Sequence, residues 1–172
     1  MDISIDKYLS TLLSFAPCDK GDGRKAGDYI SLIHIPVEGP EEVYSLSFDS
    51  SNPTLVVARF QETVWDYLAK SRSGSCQLAP QVDVLQAITE YEHPIFDYVN
   101  PSLLADCMSH SDGRPGMDYY LLMWQFDGYS SVSECWEPYR RGASSWITLI
   151  GAMQALSSQY EYTVREKEPV TA

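Results

Sequence analysis

The amino-acid sequence predicts an α+β fold: one domain over residues 1–172, with an antiparallel sheet built from two hairpins and covered by about five helices. Three observations lead there. Strand candidates come as adjacent pairs, at 29–48 and 118–136, and not in β-α-β alternation. Segments of helical periodicity precede, separate and follow these pairs. The chain has 172 residues, 44% hydrophobic and 21% charged, enough for one core without a metal or disulfide.

Residues 3–15 read as an amphipathic helix. Ile5, Tyr8, Leu9, Leu12 and Phe15 recur at helical spacing, Asp2 or Ser4 can cap the start, and Pro17 ends it. Residues 17–28, PCDKGDGRKAGD, form a polar loop. Residues 29–35, YISLIHI, are β-branched. After a turn, 43–48 alternate Tyr44, Leu46 and Phe48 with serines, so 29–48 is a hairpin.

Asn52-Pro53 looks like a helix cap, and Val56, Phe60, Val64 and Tyr67/Leu68 step by about four, predicting a helix over 53–71. The competing reading is a strand at 54–60, because Val56 and Val57 are β-branched. Residues 80–91 repeat the helical grammar, with Leu85, Ile88 and Tyr91 on one face. Asn100-Pro101 opens a short helix, 101–109, with Leu104, Cys107 and Met108 inward.

Residues 118–126, DYYLLMWQF, are the most apolar strand candidate. Asp127-Gly128 is a strong hairpin turn signal, and YSSVSECW returns as a more polar partner. Being apolar on both faces, 118–126 should be central or covered twice. Residues 145–159 form the last helix, with Trp146, Ile150, Met153 and Leu156 on its buried stripe. The charged tail, about 165–172, should fray. All helices are expected on one side of the sheet.

The N-terminus lacks the positive start and unbroken apolar run of a secretory signal, and no stretch approaches a membrane span. A cytoplasmic protein is the expectation. Cys18, Cys76, Cys107 and Cys135 are then reduced thiols. Neither metal nor cofactor is expected.

No motif carries chemistry. The Gly21–Asp28 loop, GDGRKAGD, has neither phosphate-loop nor dinucleotide spacing, and a strand follows it. Cys107 and His110 are three apart, but a structural zinc needs two more ligands and no second pair exists. Cys107 shares the apolar stripe of Leu104, which makes it a core thiol. No nucleophile motif surrounds any Ser or Cys. Only a constellation assembled in space from His34, His93, His110 and the cysteines could give a small hydrolase or transferase.

Charge is more informative. The net charge of −12 argues against direct nucleic-acid binding and against an anionic membrane. Residues 73–139 carry ten acids and one base, Arg114. Tyr91, Tyr98, Tyr119, Trp124, Tyr129, Trp136 and other aromatics are interleaved with those acids. Such a segment is either a solvated face or a docking surface for a basic protein, where carboxylates steer and aromatics supply contact area.

The function expected is therefore a non-enzymatic binding module. Its specific form is an inhibitor or immunity protein that neutralises a basic toxin, for example a nuclease. Alternatives are a hydrolase or transferase with a scattered site, and a small-ligand regulatory domain. The partner-binding surface is expected on the second hairpin and the loop before it: Asp112, Asp118, Asp127, Tyr129, Glu134, Trp136 and Glu137.

Overall fold

The computed structural model describes residues 5–15, 27–48, 52–72, 79–114 and 116–167. Helix α1 (Ile5–Leu13) precedes the hairpin of β1 (Tyr29–Ile35) and β2 (Glu42–Ser47). Strand β3 (Thr54–Phe60), helix α2 (Val64–Arg72) and strand β4 (Val82–Ile88) follow. Two short helices, α3 (Ile95–Tyr98) and α4 (Pro101–Asp106), lead to the second hairpin, β5 (Tyr119–Phe126) and β6 (Tyr129–Trp136). A single turn, α5 (Pro138–Arg141), and the long α6 (Ser144–Lys167) complete the order.

The strands form one six-stranded sheet, β4-β3-β2-β1-β5-β6, every neighbour antiparallel. The α+β class holds, and so do both expected hairpins. The sheet is larger than the two hairpins because β3 adds to β2, and β4 to β3.

Alternation along the strands divides the core in two. Ile30, Leu32, Tyr44, Leu46, Leu55, Val57, Tyr120, Leu122 and Trp124 face α6, which buries Trp146, Leu149, Ile150, Met153 and Leu156 against them; Ile95 of α3 and Leu104 of α4 join this layer. Ile33, Val43, Ala58, Phe60 and Met123 point the other way, onto Tyr8 and Leu12 of α1 and Val64, Tyr67 and Leu68 of α2. Helices thus cover both faces, not one. The expectation of one-sided cover fails because β1, β2 and β3 carry apolar side chains on both faces, and each face needs helices to bury it.

Five local expectations are corrected. Residues 53–71 are a strand and a separate helix, as the competing reading of 54–60 had it. Residues 80–91 hold strand β4, not a helix. Ile88 is 67% exposed and not in the core, and Met108 is 71% exposed and not inward. Helix α6 also runs on to Lys167, past residue 159 where its end was expected.

Other expectations stand. Asn100 caps α4, its side chain accepting from Leu103 N–H at 3.1 Å. Leu12, Leu46, Phe60, Leu122, Trp124, Ile150 and Met153 are buried, while Leu9, Phe48 and Leu85 are half-buried at the core's margin. Strand β5 is paired on both sides, by β1 and β6, and β6 is the more exposed edge. Cys107 and Cys135 are buried free thiols. Cys18, Cys76 and the glycine loop at 17–26 lie outside the described residues. No described helix is long and apolar enough to cross a membrane.

Candidate functional site

The second hairpin turns at Asp127 and Gly128, both with positive φ (49° and 80°), the conformation of a tight two-residue turn whose twist matches the strands. Asp28 Oδ1 accepts the Asp127 N–H at 3.0 Å and pins the turn to the start of β1. At the far end, Asp118 Oδ1 accepts the Val37 N–H at 2.8 Å, and Asp118 O accepts the Glu137 N–H at 2.8 Å. The loop before the hairpin runs along the outer edge of β6. His110 N–H donates to Glu134 O at 2.7 Å, and Gly113 packs flat on the Trp136 ring. That loop blunts part of an edge that would otherwise present unpaired backbone.

The seven residues expected as a surface do not form one face. Asp127 and Tyr129 sit at the turn. Asp112, Asp118, Trp136 and Glu137 sit at the opposite end, about 23 Å away for seven residues of strand. Tyr129 lies on the α6 side of the sheet, whereas Glu134 and Trp136 lie on the α1–α2 side.

Most of these carboxylates already have partners. Arg141 binds Asp112 at 2.9 Å and holds its carboxyl below the ordinary value. Arg140 reaches Glu137 at 3.3 Å. Glu134 accepts the Tyr119 hydroxyl at 2.8 Å, and Tyr119 packs on Trp136 with ring centres 4.6 Å apart. Asp127, with no described cation beside it, and Tyr129, 76% exposed, are the members most open to a partner.

The three histidines are dispersed. His34, on β1, stacks on Tyr120 with ring centres 4.3 Å apart and planes 4° from parallel. Its Nδ1 faces Glu42 at 3.7 Å and its Nε2 faces Asp118 at 3.9 Å, so the two carboxylates flank the ring on opposite edges and cannot share one metal ion with it. Glu42 accepts from Tyr44 at 2.9 Å and from Arg59 at 3.0 Å, and Arg59 also reaches Ser157 of α6 at 3.1 Å. The His34 imidazole first, then the Tyr44 hydroxyl and the Arg59 guanidinium, outweigh partial burial and hold the Glu42 carboxyl at about 2. Burial and Glu42 push the Tyr44 phenol up to about 12.

His93 shares a 2.9 Å hydrogen bond with Gln159 of α6 and accepts the Ile95 N–H at 3.2 Å. His110 pairs with Cys135 as a backbone bridge. Burial pushes the Cys107 thiol up to about 12 and raises Cys135 as well, which disfavours the thiolate a nucleophile needs. Among the described residues, no group of three His, Cys, Asp or Glu side chains is arranged to hold a metal.

A feature absent from the sequence reading lies between α3 and α6. A groove of about 350 Å³, open on one side, has walls of His93, Pro94, Ile95 and Tyr98 and a floor of Thr148, Ala152, Ala155, Leu156 and Gln159. The residues leading into α3 carry Glu90 and Glu92, α3 itself carries Asp97, and α4 ends at Asp106. All four acids are exposed, and none pairs with a cation whose side chain is described. The available signal was the spacing Thr148, Ala152, Ala155, Gln159, a second stripe on α6 beside the buried one. Its small side chains hid it.

Comparison with protein-family models, with curated proteins and with solved structures found no significant match.

Proposed function

We propose that this chain is a non-enzymatic, acidic protein-binding module whose partner is a basic protein, in the manner of an inhibitor or immunity protein that neutralises a toxin such as a nuclease. The observation that carries this reading is the run of exposed acids Glu90, Glu92, Asp97 and Asp106, none of them paired with a cation whose side chain is described, interleaved with the exposed rings of Tyr91 and Tyr98. Unpaired carboxylates repel one another and gain from a cationic partner, and exposed tyrosines supply contact area at low entropic cost. Asp118 and Glu134, bonded to neutral donors, add to the same long-range field, whereas Asp112 and Glu137 are paired with Arg141 and Arg140. Asp127 and Tyr129 extend the surface at the hairpin turn. Phosphate binding by this chain itself has no such support, since its net charge is −12 and residues 73–139 hold one Lys or Arg, Arg114.

The test is affinity capture followed by titration with the purified partner. A basic protein that binds at one-to-one stoichiometry, weakens as salt rises, and loses its own activity in the complex is the expected result. A neutral or acidic partner whose binding ignores salt would overturn the proposal.

A further inference from the structure

The groove between α3 and α6 calls for an occupant of a particular chemistry. Its floor is a stripe of small and apolar side chains, and Thr148 to Gln159 spans about 16 Å, or three helical turns. Its wall is the side of Tyr98, which is 62% exposed. The His93–Gln159 hydrogen bond ties wall to floor and fixes the groove's width. An open trough of this length does not enclose a small molecule, which a specific ligand site buries on most sides. It matches one face of a helix, which enters such a trough with side chains at i, i+3, i+4 and i+7. The exposed acids Glu92 and Asp97 adjoin the wall residues His93 and Tyr98 in the chain, and Glu90 lies three residues before His93, so carboxylates sit close to the trough; no cation whose side chain is described pairs with them.

We infer that this groove takes an amphipathic, basic helical segment of the protein partner, with aliphatic side chains against Ala152, Ala155 and Tyr98 and Lys or Arg on Glu90, Glu92 and Asp97. The inference rests on the proposed function and assigns it a place away from the second hairpin. Apolar contact supplies the affinity and the carboxylates choose the sign of the partner.

The experiment is an amide-shift titration of the full chain with a synthetic helical peptide of about 18 residues, Leu on one face and Lys on the other. Two control peptides are a Ser/Lys version of equal charge and a Leu/Gln version of no charge. The Leu/Lys peptide should shift the amides of Tyr98, Ala152 and Ala155, and each control should bind at least about tenfold more weakly. Ala155 is exposed, so Ala155→Arg leaves the fold intact, as circular dichroism would verify. It should weaken the Leu/Lys peptide by at least about tenfold. Shifts confined to the second hairpin would overturn the groove assignment and leave the binding of basic proteins standing. Equal binding of the uncharged peptide would overturn the role of the acids. No binding of either Lys peptide at low salt would overturn both.

Discussion

The Tyr8 hydroxyl donates a 2.6 Å hydrogen bond to Glu41 Oε1, and both residues are almost fully buried. The other oxygen of Glu41 accepts the Val64 N–H, at 2.9 Å, at the start of α2. One carboxylate thus joins α1, the start of β2 and the first turn of α2, where an anion also meets the positive end of the helix dipole. Tyr8 further stacks on Trp65, ring centres 4.7 Å apart. Tyr8→Phe keeps that stack and removes one donor from a buried acid, so it should cost about 1–3 kcal/mol. Glu41→Ala removes both bonds and should cost more, by urea denaturation. Equal stability of Glu41→Ala and the parent would show that α1 and α2 are held by apolar contact alone.

Leu122 is fully buried under α6, and Ile88 is 67% exposed on the edge strand β4. Leu122→Ala should therefore cost about 2–5 kcal/mol. Ile88→Ala should cost within about 0.5 kcal/mol of nothing. The two midpoints in a denaturant titration separate this arrangement from one with 80–91 as a helix, where Ile88 would be a core residue.

Gly113 faces the Trp136 ring so closely that an added Cβ would lie 1.9 Å from the ring's base. Relieving that clash means rotating the Trp136 ring off Tyr119 or shifting the loop from β6. Gly113→Ala should displace the loop from the strand edge, cost about 1–3 kcal/mol and change the tryptophan fluorescence. An unchanged spectrum and midpoint would contradict the contact.

Glu42 has its carboxyl held at about 2, below the ordinary 4.5. A group depressed on folding gives stability that is complete above the unfolded value and lost as pH falls through the folded one. The excess stability of the parent over Glu42→Gln should thus be constant above about pH 5 and shrink between about pH 4.5 and 2. A gap that stays constant across that window would mean that the carboxylate is not engaged by His34, Tyr44 and Arg59.

The parts of the fold that could be read were those where local chemistry and tertiary position agree. Asp127-Gly128 dictates its turn, and the alternation of Tyr44, Leu46 and Phe48 with serines dictates a strand. Residues 54–60 were harder because β3 lies inside the sheet and buries both faces. Its apolar run, TLVVARF, carries no clean period of two, and Asn52-Pro53 added a misleading cap. In β4, Leu85, Ile88 and Tyr91 fall at helical spacing by coincidence, and pairing with β3 overrides that pattern. The acids could be listed from the chain, but their partners could not. Arg141 comes to Asp112, and His34 comes between Glu42 and Asp118, through contacts between distant segments.

The central claim is that this acidic surface draws in a basic protein. The measurement that tests it most directly is the association rate of the captured partner against ionic strength. It compares the parent with two charge-reversed variants, Glu90, Glu92 and Asp97 to Lys, and Asp127, Glu134 and Glu137 to Lys. The parent rate should fall steeply with salt. The first variant should associate at least about tenfold more slowly at low salt, with a flatter salt response, and the second should slow by less. Rates and salt slopes unchanged in both variants would contradict the account.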